Sequence, residues 1–203
     1  DMLTNDFESY KKFFEAFGSQ IKYGIYNMYG MNKDKLKDLL VFYSKDKGDL
    51  ITLDEYVKNM KEGQENIYYA SGESVSKIDS LPQVEQIKKK GFDILYLTNY
   101  LDEFVISVLR EEDGKTFKSV SDSSLDLDTE EEKEANKKLN EDNKDMLAEI
   151  KDALGDEVTS VRFTNKLDSH PVCLTSEGQV SIEMEKTINS QMGGKDSIKA
   201  KTI

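Results

Sequence analysis

Residues 61–74 read KEGQENIYYASGES, and this stretch decides the fold. Residues 67–70 (IYYA) form a short apolar and aromatic run that is typical of a buried β-strand. Residues 71–74 (SGES) then supply a small polar turn that contains a glycine. Two interpretations are open at this point: a catalytic loop, or the first strand and turn of an α/β unit that carries no chemistry.

The residues after this stretch alternate between helical and strand patterns. Pro82 opens a helix that runs through Lys90, and Gly91 ends it. Residues 92–97 are the second predicted strand, and residues 116–120 follow as the third after one more helix. This order predicts a small parallel sheet with right-handed crossovers, and hence an α/β lobe.

The residues before this stretch predict three short helices joined by tight turns. The first has an aromatic face and ends at Gly18, and the third opens at residues 32–34 and continues through Tyr43. Aromatic residues at spacings of three and four define the first helix, namely Phe7, Tyr10, Phe13, Phe14 and Phe17. The second helix has an inner face of Ile21, Ile25, Met28 and Tyr29.

The last third of the chain is strongly acidic at its start. Residues 122–152 hold twelve acids and five lysines, a net charge of -7, which is typical of a solvated helix face. We predict a linker over residues 121–129 and one helix over residues 130–154. Further strands are predicted at residues 158–163 and 172–175, and an amphipathic segment at residues 179–192.

Composition excludes several classes of partner. The net charge is -12 and Arg110 and Arg162 are the only arginines, so nucleic-acid binding is not expected. Cys173 is the only cysteine, so no internal disulfide forms, which fits a reducing compartment. No apolar run approaches the ~18 residues of a membrane helix, and the N-terminus does not resemble a signal peptide. We therefore expect a cytoplasmic protein without membrane contact, represented here by a piece of a longer chain.

Two fragments resemble the end of a phosphate-binding loop. Residues 114–116 (GKT) lack the glycine that the motif needs five residues earlier, where Leu109 stands. Residues 193–196 (GGKD) lack the Ser or Thr that follows the lysine. We therefore expect no nucleotide site in these residues.

Other candidate catalytic residues are better explained by structure. His170 and Cys173 would point to opposite faces of a strand, which favours a buried cysteine over a thiolate–imidazole pair. Asp102 and Glu103 are adjacent in a helix, so they do not face each other and instead complement the helix dipole. One histidine and one cysteine without ligand spacing do not make a zinc site. The sequence therefore predicts no catalytic, cofactor-binding or metal-binding residue.

Val180, Met184 and Ile188 lie at a spacing of four near the end of the chain. The simpler interpretation is a core-facing stripe of one helix. The alternative is an exposed apolar stripe that binds partner proteins, where methionine adapts to many shapes. Pattern alone leaves both open.

Several ordered motifs resemble the ninety-kilodalton heat-shock protein chaperones in their bacterial, HtpG-type form. The stretch quoted first, with residues 67–74 (IYYASGES), matches best, and residues 53–64 (LDEYVKNMKEGQ) also match. Others are residues 14–25 (FEAFGSQIKYGI), 39–44 (LLVFYS), 90–96 (KGFDILY), 102–104 (DEF), 161–167 (VRFTNKL) and 171–174 (PVCL). The likeness covers nearly the whole chain, and it favours the α/β unit without chemistry over the catalytic loop.

The resemblance implies a mixed α/β protein, α+β overall, in three parts. Residues 1–45 are similar to the helical coil of the family's middle domain, and residues 46–121 to its small three-layer α/β/α lobe with a parallel sheet. Residues 130–203 are similar to a truncated α+β C-terminal domain that stops before the dimerisation helices. Its amphipathic helix, with Val180, Met184 and Ile188, implies a site for non-native client proteins.

The resemblance also implies an ATP-dependent, homodimeric folding chaperone of the stress response, in which ATP and magnesium bind outside these residues. The family's catalytic arginine also lies outside them, so we expect no ATP binding, no cofactor and no enzymatic activity from this chain alone. The alternative is a stand-alone α/β enzyme or nucleotide-binding module. Its only basis is the predicted βαβ pattern, and fold does not imply function.

Overall fold

The computed structural model describes residues 2–177, 180–192 and 201–203. Its α-helices are α1 (Met2–Asn5), α2 (Phe7–Tyr26), α3 (Lys33–Leu36), α4 (Leu53–Lys58), α5 (Val75–Asp79), α6 (Glu85–Lys89), α7 (Asp102–Leu109), α8 (Glu130–Asp142), α9 (Lys144–Leu154) and α10 (Ile182–Met192). Its strands are β1 (Val41–Ser44), β2 (Asp49–Thr52), β3 (Ile67–Ser71), β4 (Leu95–Leu97), β5 (Glu111–Glu112), β6 (Lys115–Ser119), β7 (Thr175–Ser176) and β8 (Lys201–Thr202). None of the helices in this part of the chain combines the length and apolar character needed to cross a membrane.

The chain forms two compact units. Unit 1 comprises residues 1–78 and 91–118, and unit 2 comprises residues 79–90 and 119–203. The predicted division at 45/46 falls inside unit 1, and helix α6, predicted within the small lobe, belongs to unit 2. The change of unit at 118/119 lies just before the predicted linker.

Unit 1 is built on a six-stranded sheet in the order β2-β1-β4-β3-β6-β5. Strands β3 and β4 are parallel, with Ala70 opposite Tyr96, as the predicted βαβ step requires. Strand β1 is antiparallel to both β2 and β4. The α+β class is confirmed, but the sheet is mixed rather than parallel, because β1 and β2 form a hairpin and hairpin strands must be antiparallel.

The prediction of the third helix was wrong from Leu40 onward. It was expected to continue through Tyr43, whereas Val41–Ser44 forms strand β1 in the middle of the sheet. Its apolar residues fit either a short helix or a strand, and pairing on both sides decides for the strand. Val41 lies opposite Thr52, and Tyr43 lies opposite Tyr96.

Helix α2 runs without interruption through Gly18, which was predicted to end it. A Cβ atom at Gly18 would lie 2.9 Å from the ring of Phe14, so the glycine makes room for that ring rather than stopping the helix. Tyr10 and Phe14 are buried as predicted, whereas Phe13 and Phe17 are exposed. The aromatic face is therefore only partly core.

In the core of unit 1, the hydroxyl of Tyr56 makes hydrogen bonds to three other segments of the chain. Tyr56 is 1% exposed, and its hydroxyl donates to the Asp93 carbonyl oxygen at 2.6 Å. The same oxygen accepts from the Gln64 side-chain amide at 2.9 Å and from the Tyr68 backbone N–H at 3.2 Å. Burial raises the pKa of Tyr56, which keeps the hydroxyl protonated as a donor.

Unit 2 contains two consecutive helices where one was predicted over residues 130–154. Thr129 begins α8 with a capping box: its side chain accepts from the Glu132 backbone at 3.3 Å, and the Glu132 carboxylate accepts from the Thr129 backbone at 2.7 Å. Asn143 leaves helical geometry and separates α8 from α9. No residue of either helix is buried.

The strands predicted in unit 2 are shorter than expected. Residues 158–163 make only a single bridge, in which Ser160 pairs with Thr202. Strand β7 begins at Thr175, where the second prediction ended, and pairs with β8.

The predicted linker over residues 121–129 is attached to unit 2 by backbone hydrogen bonds. Ser123 donates its N–H to the Ser176 carbonyl oxygen at 2.8 Å, and Ser176 donates to Ser121 at 2.8 Å. Leu125 is buried. Protease sensitivity of this stretch remains a prediction.

Candidate functional site

The three residues predicted to bind partners lie at or near helix α10. Helix α10 begins at Ile182, and the Ser181 hydroxyl accepts the Met184 N–H at 3.0 Å, so Val180 lies outside the helix. Met184 and Ile188 are one turn apart on the same face of α10. All three side chains are half-buried, which is intermediate between the core and the exposed interpretation. Their role stays a prediction.

A more exposed apolar surface lies at the end of helix α2. The chain turns there through a 3-10 segment, Asn27–Gly30, in which Met28 has φ 51° and Tyr29 has φ 56°. Non-glycine residues adopt this left-handed region at a cost of about 1–2 kcal/mol each. Gly30 follows at φ 82°, where a Cβ atom would lie only 2.6 Å from Val108 Cγ1. The turn is therefore fixed by close packing at its last residue.

This turn presents its large side chains to solvent rather than to the core. Tyr29 is fully exposed, Met28 is 60% exposed and Met31 is 76% exposed. Met28 and Tyr29 were predicted on the inner face of a helix, and that prediction was wrong because the positive φ angles reverse the direction of both side chains. We call the exposed set Tyr23, Tyr26, Met28, Tyr29 and Met31 the α2-turn patch.

An open groove of about 720 Å³ adjoins the α2-turn patch within unit 1. Tyr26, Met28 and Tyr29 line one part of it, and Ser107, Val108 and Arg110 of the α7 region line another. The ring of Tyr26 packs edge-on against Phe104 of α7 at 5.3 Å. The groove offers rings, a thioether and a guanidinium, which suit apolar and aromatic side chains of a bound chain.

Asp102 and Glu103, weighed above as an acid–base pair, are buried at the start of α7. Asp102 Oδ1 lies 2.6 Å from Lys22 Nζ of helix α2. Burial raises the pKa of Asp102, and the Lys22 ammonium opposes that rise. The Lys22 ammonium also lies 5.2 Å from the ring centroid of Phe14. Asp102 therefore joins α7 to α2, and Lys22 is the partner that sequence reasoning missed.

His170 and Cys173 are not arranged as a nucleophile and its base. His170 Nδ1 lies 2.8 Å from a Glu85 carboxylate oxygen instead. The same carboxylate accepts the Asp168 N–H at 2.7 Å, and it accepts from the Ser169 hydroxyl. Backbone donation from Asp168 is the main reason that the pKa of Glu85 is lowered to about 2. Burial raises the pKa of the Cys173 thiol, which disfavours the reactive thiolate.

The GKT fragment forms a hairpin turn rather than a phosphate loop. Asp113 and Gly114 both have positive φ, 47° and 73°, between the antiparallel strands β5 and β6. Two such residues are typical of a type I′ hairpin turn. The GGKD fragment lies outside the described residues. Within the described ranges, no group of three or more His, Cys, Asp or Glu side chains is placed to hold a metal ion.

The α2-turn patch could have been found in the sequence only indirectly. Asn27, Gly30 and Asn32 are residues that favour turns, and together they argue against a helix across this stretch. The interleaved tyrosines and methionines still matched a helical spacing. That match concealed their exposure.

Comparison with known proteins gives one consistent result. A family model described as Hsp90 protein matches residues 1–202. The chaperone protein HtpG of Clostridium perfringens is 48% identical over 202 residues, which is 100% of this chain and 32% of that protein. HtpG of Bacillus subtilis is 46% identical with the same coverage, and HtpG of Oceanobacillus iheyensis is 49% identical over 189 residues. The chain thus spans about a third of the length of these relatives.

Proposed function

This chain belongs to the Hsp90 protein family, and we propose that it works as part of an ATP-dependent chaperone that assists protein folding. In this proposal its residues correspond to the end of the middle domain and the start of the C-terminal domain. They act as a lever and as a surface for non-native client proteins in a homodimeric, cytoplasmic parent protein. The HtpG relatives support the chaperone class, and the finer assignment rests on the motifs of the sequence.

The α2-turn patch is the observation that carries the client-binding part of the proposal. Five large side chains are exposed between residues 23 and 31, and three of them line one groove; exposed apolar surface of this kind often binds a partner. Here two of its members, Met28 and Tyr29, also occupy a costly backbone conformation, and such outliers often occur at functional sites. A methionine- and tyrosine-rich surface adapts to many sequences, as a chaperone for varied clients requires.

The test measures binding of an unfolded chain to the patch. A fluorescently labelled protein, reduced and carboxymethylated so that it cannot refold, is titrated with the 203-residue chain and followed by anisotropy. The double variant Tyr29→Ser, Met31→Ser should weaken binding by about tenfold, because two large apolar contacts are removed. Circular dichroism and melting should be almost unchanged, since neither side chain is buried.

The matched control changes the same two residue types elsewhere in unit 1. Met2 and Tyr100 are also exposed, at 48% and 58%, so the variant Met2→Ser, Tyr100→Ser removes the same two side-chain types outside the patch. It should bind the unfolded probe like the parent. Equal loss in both double variants would contradict a specific site on the α2 turn.

Helix α10 is a second surface that we propose for clients, through Val180, Met184 and Ile188. The half-buried state of Met184 and Ile188 allows both a packing and a binding role. In the variant Met184→Ala, Ile188→Ala, weaker probe binding with little change in melting would support client contact. A loss of roughly 2–5 kcal/mol in stability with unchanged binding would show that these residues are core.

We propose further that this chain neither binds nor hydrolyses ATP, and that the ATP site, its magnesium and the catalytic arginine of the parent lie elsewhere. The failed phosphate-loop fragments support this, as does the hairpin geometry at Gly114. Calorimetric titration should give no saturable ATP binding. Binding in the micromolar range would favour the alternative, a nucleotide-binding module or stand-alone α/β enzyme.

A further inference from the structure

Helices α8 and α9 of unit 2 carry a row of apolar side chains that remain partly exposed in the described part of the chain. Leu139, Met146, Ile150 and Leu154 are each between 36% and 43% exposed. Neither helix contains a single buried residue. Met146, Ile150 and Leu154 repeat at every fourth position, so they form one row along α9. Leu139 lies on the preceding helix, α8. We call these four residues the α8–α9 stripe.

A row of carboxylates adjoins this stripe. Asp142, Asp145, Glu149 and Asp152 follow one another at spacings of three and four residues, and all four are exposed. Glu149 lies three residues after Met146 in α9 and flanks it on the helix surface, whereas Asp142 is the last residue of α8. We call these four residues the acidic row.

The acidic row is not neutralised within the described part of the chain. Lys133 pairs with Asp126 and Glu130, and Lys151 donates to the Gly155 carbonyl oxygen. No ion pair joins a residue of the row to another described residue. Like charges at the spacing of Asp145 and Glu149 destabilise a helix, so a cation from a partner would stabilise α9.

From this arrangement we propose that α8 and α9 form a docking surface for a basic amphipathic helix of a partner protein. The apolar face of that helix packs on the α8–α9 stripe, and its Lys or Arg residues meet the acidic row. The α9 part of the stripe, from Met146 to Leu154, extends over eight residue steps, roughly 12 Å at the rise of an α-helix, so the occupant needs at least about two turns to cover it, and more to reach Leu139 on α8. Helix-in-groove recognition of this kind uses apolar anchors at spacings of three and four.

Charge complementarity selects this occupant over a second copy of the chain. Another α9 packed on this stripe would bring its own acidic row alongside the first and add repulsion. A general non-native chain would use the stripe alone and would not need the acidic row. The proposed occupant is distinguished by needing the stripe, the row and helical structure together.

The experiment uses the full 203-residue chain and a labelled synthetic peptide of about 18 residues, built as an ideal amphipathic helix with leucines on one face and lysines along one flank. Two matched peptides replace the lysines by glutamates or place a proline at the centre. Anisotropy titrations should give saturable binding of the lysine peptide, weakened by about tenfold or more for either matched peptide. Binding should also weaken between about 50 mM and about 300 mM salt, because exposed charges are screened.

Two variants locate the binding site on the protein. Met146→Ser with Ile150→Ser should weaken the affinity for the lysine peptide by about tenfold, because apolar contacts are lost. Glu149→Lys with Asp152→Lys should weaken the binding of the lysine peptide and strengthen the binding of the glutamate peptide. The control, Glu130→Lys with Glu131→Lys, makes the same change in net charge at the first turn of α8, outside the row, and should leave both affinities within about twofold.

Several results would overturn the proposal. One is an equal loss in the Glu130 and Glu131 control, which would reveal only nonspecific charge attraction. Another is equal affinity for the proline peptide, which would mean that helical structure is not recognised. Self-association that disappears in the Met146 and Ile150 variant, seen by sedimentation, would assign the stripe to a second copy. These outcomes are independent of the α2-turn patch, whose variants leave α8 and α9 unchanged.

Discussion

Helix α2 of unit 1 buries five residues, Tyr10, Phe14, Gly18, Lys22 and Ile25, whereas α8 and α9 of unit 2 bury none. Helix α2 is therefore stabilised mainly by packing, which supplies most helix stability in proteins. Helix α8 relies on polar contacts instead: the Thr129 capping box, and Asn140, whose side chain accepts from the Phe163 N–H at 2.9 Å and donates to the Phe163 carbonyl oxygen at 3.2 Å. Because α8 does not depend on burying its apolar side chains, those side chains can contact a partner.

The comparison predicts that substitutions in unit 1 cost more than substitutions in unit 2. A substitution at the cap or surface of α8 that destabilised the chain as much as a substitution at a buried residue of α2 would contradict this prediction. Four experiments probe this difference, beginning with the largest expected effect.

Lys22→Met should give the largest loss. It leaves Asp102 buried without its ammonium partner, and removing one member of a buried ion pair costs about 3–5 kcal/mol. Urea unfolding measures the change. The double variant Lys22→Met, Asp102→Asn removes the buried charge as well and should recover most of the loss. Failure to recover would mean that the loss does not come from the uncompensated charge of Asp102.

Tyr56→Phe should have the next largest effect. It keeps the ring but removes the hydroxyl that serves the Asp93 carbonyl, the Gln64 amide and the Tyr68 N–H. Leaving buried polar groups unsatisfied costs about 1–3 kcal/mol. Tyr43→Phe, at a half-buried ring of the same unit, serves as the control and should change stability by less. Equal losses would show that the network adds little beyond ring packing.

Thr129→Ala should have a smaller and local effect. Loss of an N-cap costs about 1 kcal/mol, and here it removes one half of the capping box of α8. Amide hydrogen exchange should become faster in the first turns of α8 while exchange in α2 stays unchanged. Glu131→Gln, also in the first turn but outside the box, should leave exchange near that of the parent. Faster exchange throughout unit 1 would contradict the separation of the two regions.

The last expected effect is a pH dependence in unit 2 that appears only in acid. Because the pKa of Glu85 in the folded chain, about 2, lies below its ordinary value of 4.5, its contacts stabilise the fold fully above about pH 4.5. That contribution is lost as the pH falls through the folded value. Carboxyl NMR should place the Glu85 midpoint near 2, and Glu85→Gln should remove this part of the acid dependence. A midpoint near 4.5 would mean that the contacts with residues 168–170 do not form in solution.

Local sequence was sufficient where one short segment contains the physical cause. Strand β3 was predicted from its apolar run and polar turn, and Gly91 was predicted to end a helix, where it has φ 74°. The family was also recognisable from ordered motifs spread along the chain. The direction of the sheet strands was only half predictable, because β3 and β4 obey the βαβ rule but β1 arrives from outside that unit.

The tertiary structure decided what depends on residues distant in sequence. The strand at Val41–Ser44 exists because β2 and β4 pair with it on both sides, and no local pattern could choose that over a helix. The exposure of Met28 and Tyr29 depends on two positive φ angles beside Gly30, which packs against Val108 of α7. The partner of Asp102 is Lys22, eighty positions earlier in the chain. Periodicity states which residues share a face, but only long-range packing determines whether that face meets protein or water.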